Sequence, residues 1–127
     1  MRYLFAAITV LVVCLLGRDA SALTSSELLQ SCRSIADTAA LKDNQIEIPE
    51  SGLPCWYYMS AVQNMSVLVD ESGVRLLGLC PPANSTVLDF VKIYVQYARK
   101  KDAEDDNPAA LTLSGLALAY PCRTDRN

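Results

Sequence analysis

The sequence predicts an all-α protein, a compact bundle of four main helices stapled by two disulfides. Three observations carry that prediction. Apolar residues recur at three- and four-residue steps in successive segments. The segments are punctuated by capping residues, prolines, a glycine and polar breaks. Beyond residue 22 there are four cysteines, Cys32, Cys55, Cys80 and Cys122, an even number in a small chain. No strand pattern of alternating apolar and polar residues accompanies them.

The chain has 127 residues, enough for one domain. It is 51% hydrophobic with a mean hydropathy of +0.18, too apolar for a disordered chain. Part of that excess lies at the start. Residues 1–22 read as a cleaved signal peptide: Arg2 is the positive start, residues 4–16 are an apolar run, and Ala20-Ser21-Ala22 places small residues before the cut. The run falls short of the ~20 apolar residues that a membrane-spanning helix needs. Val13 precedes Cys14, where a bacterial lipoprotein signal needs a small residue. Residues 23–127 are then expected to be a single helical domain in an exported, oxidising space, the periplasm.

Composition also excludes function classes. Without its first 22 residues the chain keeps nine basic and thirteen acidic side chains, a net charge of −4. That is a poor match for nucleic acid. There is no histidine, which excludes Ser-His and Cys-His nucleophile pairs and any His-ligated zinc. The nearest cysteine spacing beyond the leader is 23, unlike the close pairs of a zinc site. No cofactor, no metal and no catalytic set is expected, and the chain reads as not an enzyme.

The first helix starts after Thr24, with Glu27 positioned to close a capping box. Leu28, Leu29, Cys32 and Ile35 follow at helical spacing. Residues 42–54 are polar with Pro49, Gly52 and Pro54, and read as a loop. The second helix is expected over 53–69, with Cys55, Tyr58, Val62, Met65 and Val69 on its buried face and Gly73 as a left-handed cap. Cys80-Pro81-Pro82 forces extended backbone. The third helix is capped by Asn84 or Ser85. It carries Asp89 in its first turn and Arg99, Lys100 and Lys101 in its last, as the helix dipole favours. Leu88, Val91, Val95 and Ala98 mark its buried stripe, widened by Phe90, Tyr94 and Tyr97. Asn107 caps the fourth helix, with Pro108 at its first position. Rich in alanine and leucine, this helix is expected to be the most buried, with Gly115 admitting a close neighbour. Helices joined by short loops lie antiparallel, which brings Cys32 to Cys55 and Cys80 to Cys122.

The candidate contact residues are few. Three consecutive aromatics, Trp56, Tyr57 and Tyr58, cannot all face inward on a helix that turns 100° per residue. Tyr58 shares the Cys55 face, so Trp56 or Tyr57 is left partly exposed, and exposed Trp and Tyr are enriched at binding hot spots. The 42–54 segment, with Glu50, is long for a bundle connection. Asp102, Glu104, Asp105 and Asp106 form an acidic break. These acids, like Asp70-Glu71, read as solvated side chains at helix ends rather than an acid–base pair, since a catalytic acid needs a cleft. They also lack the calcium-loop pattern.

The order Leu28-Leu29, Cys32, then Cys55 with Tyr58, then Cys80-Pro81-Pro82, then Pro108-Ala109-Ala110-Leu111 running to Tyr120-Pro121-Cys122, resembles the Rap/Tai family of type VI secretion immunity proteins. The resemblance covers about residues 25–122. Where that family often carries glycine, near its second cysteine, this chain has Tyr57 and Ala61. The resemblance implies a periplasmic, helical homodimer that occludes the active site of a peptidoglycan-cleaving effector, commonly a cell-wall amidase. Trp56, Tyr57, Glu50, Asp102, Glu104, Asp105 and Asp106 are then the candidate partner-binding residues, with no nucleic acid and no membrane as partner. Two alternatives stand beside it. One is a periplasmic acid-stress chaperone, whose switch, without histidine, runs on carboxylates below about pH 5. The other is an orphan helical domain with no toxin partner.

Overall fold

A computed structural model describes residues 22–38, 41–42, 45–101 and 107–122. The described elements are α1 (Ser25–Thr38), β1 (Leu41–Lys42), β2 (Gln45–Ile46), a 3-10 turn (Glu50–Gly52), α2 (Leu53–Ser66), α3 (Val87–Lys100) and α4 (Pro108–Ala119). The four helices are those expected, and the fold is all-α.

Helix α1 begins with the expected capping box. Thr24 Oγ1 accepts from the Glu27 N–H at 3.3 Å, and the Glu27 carboxylate accepts from the Thr24 N–H at 2.9 Å. Leu28, Cys32 and Ile35 follow one face and are fully buried.

Several described residues of the 42–54 segment, expected as loop, belong to short regular elements. Strands β1 and β2 pair antiparallel, Leu41 with Ile46 and Lys42 with Gln45. Two-residue strands are too short for alternation to reveal them. The 3-10 turn then lies on α1, and only glycine fits at its end. A Cβ on Gly52 would stand 2.5 Å from Ile35 Cγ1. Ser31 stitches these parts together: its Oγ donates to the Ser51 carbonyl at 2.8 Å and accepts from the Cys55 N–H at 3.1 Å.

Helix α2 ends at Ser66, three residues before the expected end. Its buried line is Cys55, Met59 and Ser66, with Tyr58 and Val62 half-buried. Met65 and Val69, expected in the core, are exposed. The core line sits slightly around the helix from the expected one, which leaves Met65 at its wet edge. Val69 lies beyond the helix altogether. Gly73 does take a positive φ of 81°, but in the turn that follows rather than as a helix cap.

Helix α3 is capped by Thr86, not by Asn84 or Ser85. Thr86 Oγ1 accepts from the Asp89 N–H at 3.3 Å, and the Asp89 carboxylate accepts from the Thr86 N–H at 2.8 Å. Phe90, Val91, Tyr94, Val95 and Ala98 are buried, with Leu88 and Tyr97 half-buried beside them. Lys92, Gln96, Arg99 and Lys100 are exposed on its other side. This helix packs against α1, α2 and α4 and is the middle of the bundle.

Helix α4 starts with Asn107 Oδ1 accepting from the Ala109 N–H at 2.8 Å. It is not the most buried element. Leu111, Thr112, Gly115 and Leu116 face inward, but Ala109, Ala110, Ser114, Ala117, Leu118 and Ala119 are exposed, Leu118 by 74%. An apolar composition all round permits burial but does not supply neighbours, and α4 leans chiefly on α3. Gly115 does admit a close neighbour, the Cβ of Tyr97.

Both expected disulfides are present. Cys32–Cys55 joins the second half of α1 to the first turn of α2, with Cα atoms 5.0 Å apart. Cys80–Cys122 joins the segment entering α3 to the residue after Pro121, with Cα atoms 4.9 Å apart. A bridge between Leu79 and Pro121 and the Cys80 N–H bond to the Tyr120 carbonyl, 3.0 Å, run alongside. Among the described residues no helix is long and apolar enough to cross a membrane.

Candidate functional site

Among the described residues, most of the exposed large apolar side chains lie at the end of α2 and just after it. Val67, Leu68 and Val69 leave the helix, the chain reverses, and Val74 and Leu76 return. With Met65 on the last turn of α2, six large apolar side chains stand exposed within twelve residues, Val74 by 61% and Leu76 by 60%. Single exposed apolar residues are ordinary, but six so close in sequence make this hairpin a candidate contact surface.

This hairpin is held in place by its own polar groups. Val69 and Arg75 form a bridge, and the Leu76 N–H donates to the Leu68 carbonyl at 3.0 Å. At its tip the Asp70 carboxylate accepts from the N–H groups of Val74 and Ser72 and from the Ser72 hydroxyl, at 2.8–2.9 Å. The Val74 N–H and then the Ser72 hydroxyl hold the Asp70 carboxyl below its ordinary value. At its base Arg75 Nη1 donates to the Val67 carbonyl at 2.6 Å and reaches the Ser66 carbonyl at 3.4 Å. A cation thus meets the negative end of α2, where its last carbonyls lack helical partners. The result is an ordered loop whose apolar side chains face solvent.

Helical periodicity hides this site, because Met65 and Val69 extend the α2 pattern. The available signals were the β-branched run at 67, 69 and 74 and an Asx-turn aspartate three residues before a glycine.

The described ones among the expected contact residues lie elsewhere. Tyr57 is 68% exposed in the second turn of α2. Trp56 beside it is half-buried and packs on the core. Glu50 is exposed on the 3-10 turn. All three sit toward the start of α2, and the hairpin follows its end. Tyr57 points outward, so its bulk displaces no core side chain. Asp102, Glu104, Asp105 and Asp106 lie outside the described residues, as do residues 1–21 of the expected leader.

Among the described residues, Glu27 and Ser31 beside the main groove are engaged in structural hydrogen bonds. A shallow groove of about 470 Å³ runs beside α1, lined by Glu27, Gln30, Ser31 and Ser34 among others. Glu27 is committed to the α1 cap, and Ser31 bonds only backbone groups. Among the described residues the buried phenol is Tyr94, which reaches the Ser25 carbonyl at 3.5 Å, and burial pushes its pKa up to about 12. It stays neutral at any physiological pH. Among the described residues no three His, Cys, Asp or Glu side chains are grouped to hold a metal ion.

A family model described as Rap1a immunity proteins matches residues 24–122. No curated protein matches the chain. No solved structure matches it either.

Proposed function

The chain belongs to the Rap1a immunity proteins, and on that premise we propose that it neutralises a type VI secretion effector by binding it. The effector cleaves peptidoglycan, as a cell-wall amidase, and the bound protein covers its active site. The observation that carries this reading is the family match, which spans α1 through α4 and all four paired cysteines. Two disulfides in so small a domain suit an oxidising compartment, which supports export to the periplasm behind residues 1–22. The protein acts without chemistry of its own, as a homodimer.

The hairpin supports occlusion as the means. An ordered apolar projection enters a cleft without the entropy cost of folding on contact. It is therefore the first contact element we assign, ahead of Trp56, Tyr57 and Glu50.

The test is inhibition in solution. The oxidised protein is mixed with each wall hydrolase encoded beside it, and cleavage of purified peptidoglycan is followed. Stoichiometric loss of cleavage is the expected result. Full cleavage by every such hydrolase, with no complex on gel filtration, rejects the reading.

A further inference from the structure

The two disulfides sit in different surroundings. Cys32 and Cys55 are both fully buried, within the cluster that contains Leu28, Ile35 and Met59. Cys80 is exposed and Cys122 is half-buried. Beside Cys80 an open recess of about 610 Å³ is lined by Pro82, Ala119, Tyr120 and Pro121. Among the described residues no charged side chain lines that recess. Thiol–disulfide exchange requires a thiolate to reach a disulfide sulfur, so access decides which bond is attacked.

We infer that Cys80–Cys122 is a thiol-exchange site for the active dithiol of a thioredoxin-like oxidoreductase, and that Cys32–Cys55 is closed to it. The attacking thiolate forms a bond to Cys80 Sγ and breaks the bond to Cys122, whose sulfur leaves as a thiolate and takes a proton from water. The second thiol of the oxidoreductase, deprotonated, then attacks its own partner sulfur in the mixed disulfide and releases Cys80. The oxidoreductase ends as a disulfide, two electrons poorer. The chain ends with two thiols.

The bundle stays closed through this exchange, because α4 is held by packing as well as by the bond. Leu111 and Leu116 are buried, Gly115 rests on Tyr97, and the Tyr120 ring lies 5.6 Å from that of Phe90. Reduction therefore stops at a folded two-thiol form in which the junction between Leu79 and Pro121 is no longer pinned.

The experiment uses the full oxidised chain in native buffer. It is incubated with thioredoxin kept reduced by its reductase and, in parallel, with dithiothreitol. Samples are alkylated, mapped by peptide mass and followed by circular dichroism. Cys80 and Cys122 are expected to be alkylated at least about tenfold faster than Cys32 and Cys55, with helical signal retained and thioredoxin faster per thiol than dithiothreitol. Simultaneous labelling of all four cysteines, earlier labelling of Cys32 and Cys55, or loss of helix with the first label overturns the inference. Equal rates per thiol for the two reductants overturn the docking of a protein dithiol. In the Cys80→Ser, Cys122→Ser double variant the remaining bond is expected to resist both reductants. Its rapid reduction there also overturns the proposal.

Discussion

Gly115 of α4 lies so close to Tyr97 of α3 that a Cβ at position 115 would stand 2.9 Å from the tyrosine Cβ. The obstacle is the root of the side chain, which cannot swing away without moving α3. In Gly115→Ala the gain in helix propensity, ~1 kcal/mol, works against an overpacking cost of ~1–3 kcal/mol. The overpacking wins because both partners are fixed to helix backbones. Urea titration is expected to show a net loss of about 1 kcal/mol. An increase in stability would show that α3 and α4 separate freely.

The α3 cap offers a cleaner comparison among three adjacent residues. Thr86→Ala removes the side chain that accepts from Asp89 and is expected to cost about 1 kcal/mol. Asn84→Ala and Ser85→Ala remove no cap bond and are expected to stay within about 0.5 kcal/mol of the parent. Equal losses at all three positions would contradict the capping box.

Acid should weaken the fold through the same groups. The Thr86 N–H and then the Thr86 hydroxyl hold the Asp89 carboxyl below its ordinary 3.8. The Thr24 N–H and hydroxyl likewise hold Glu27 below 4.5. A carboxyl whose pKa is lower folded than unfolded contributes its full stability above the unfolded value. That contribution is lost as pH falls through the folded value. Urea midpoints are therefore expected to be flat above about pH 5 and to drop below about pH 4. The drop should be smaller in Asp89→Asn. A midpoint that rises on acidification would contradict these assignments.

The buried disulfide should matter for stability even though it resists exchange. Closing a loop across the 23-residue separation of Cys32 and Cys55 is worth about 3 kcal/mol in the loop-entropy account. The Cys32→Ser, Cys55→Ser double variant is expected to lose that much in urea titration. A loss under about 1 kcal/mol would mean that packing of Leu28, Ile35 and Met59 alone fixes α1 on α2.

The helices and both cysteine pairings were legible because they rest on short-range rules. Thr24 and Glu27 are three residues apart, and helix order alone brings Cys80 to Cys122. The Thr86 cap was harder, since Asn84, Ser85 and Thr86 are all capping types. The choice follows from Asp89 standing three residues after Thr86. The end of α2 was not legible from periodicity. Met65 and Val69 continue its apolar pattern, whereas the stop comes from Arg75, which reaches back across the hairpin to the Val67 carbonyl. The exposure of α4 was hidden for a related reason: composition shows what a helix tolerates, not which neighbours it meets.

The hairpin carries the central claim, that this immunity protein disarms an effector by direct contact. Val74 and Leu76 are exposed, so Val74→Asp with Leu76→Asp is expected to change stability by no more than about 0.5 kcal/mol per substitution. The most direct measurement is survival of cells that direct the wall-cleaving effector to their periplasm while carrying either form of the protein. The parent chain is expected to protect, and the double variant, present in equal amount and folded, is expected to fail. Equal protection by both forms would contradict contact through this hairpin, and protection by neither would contradict the immunity function itself.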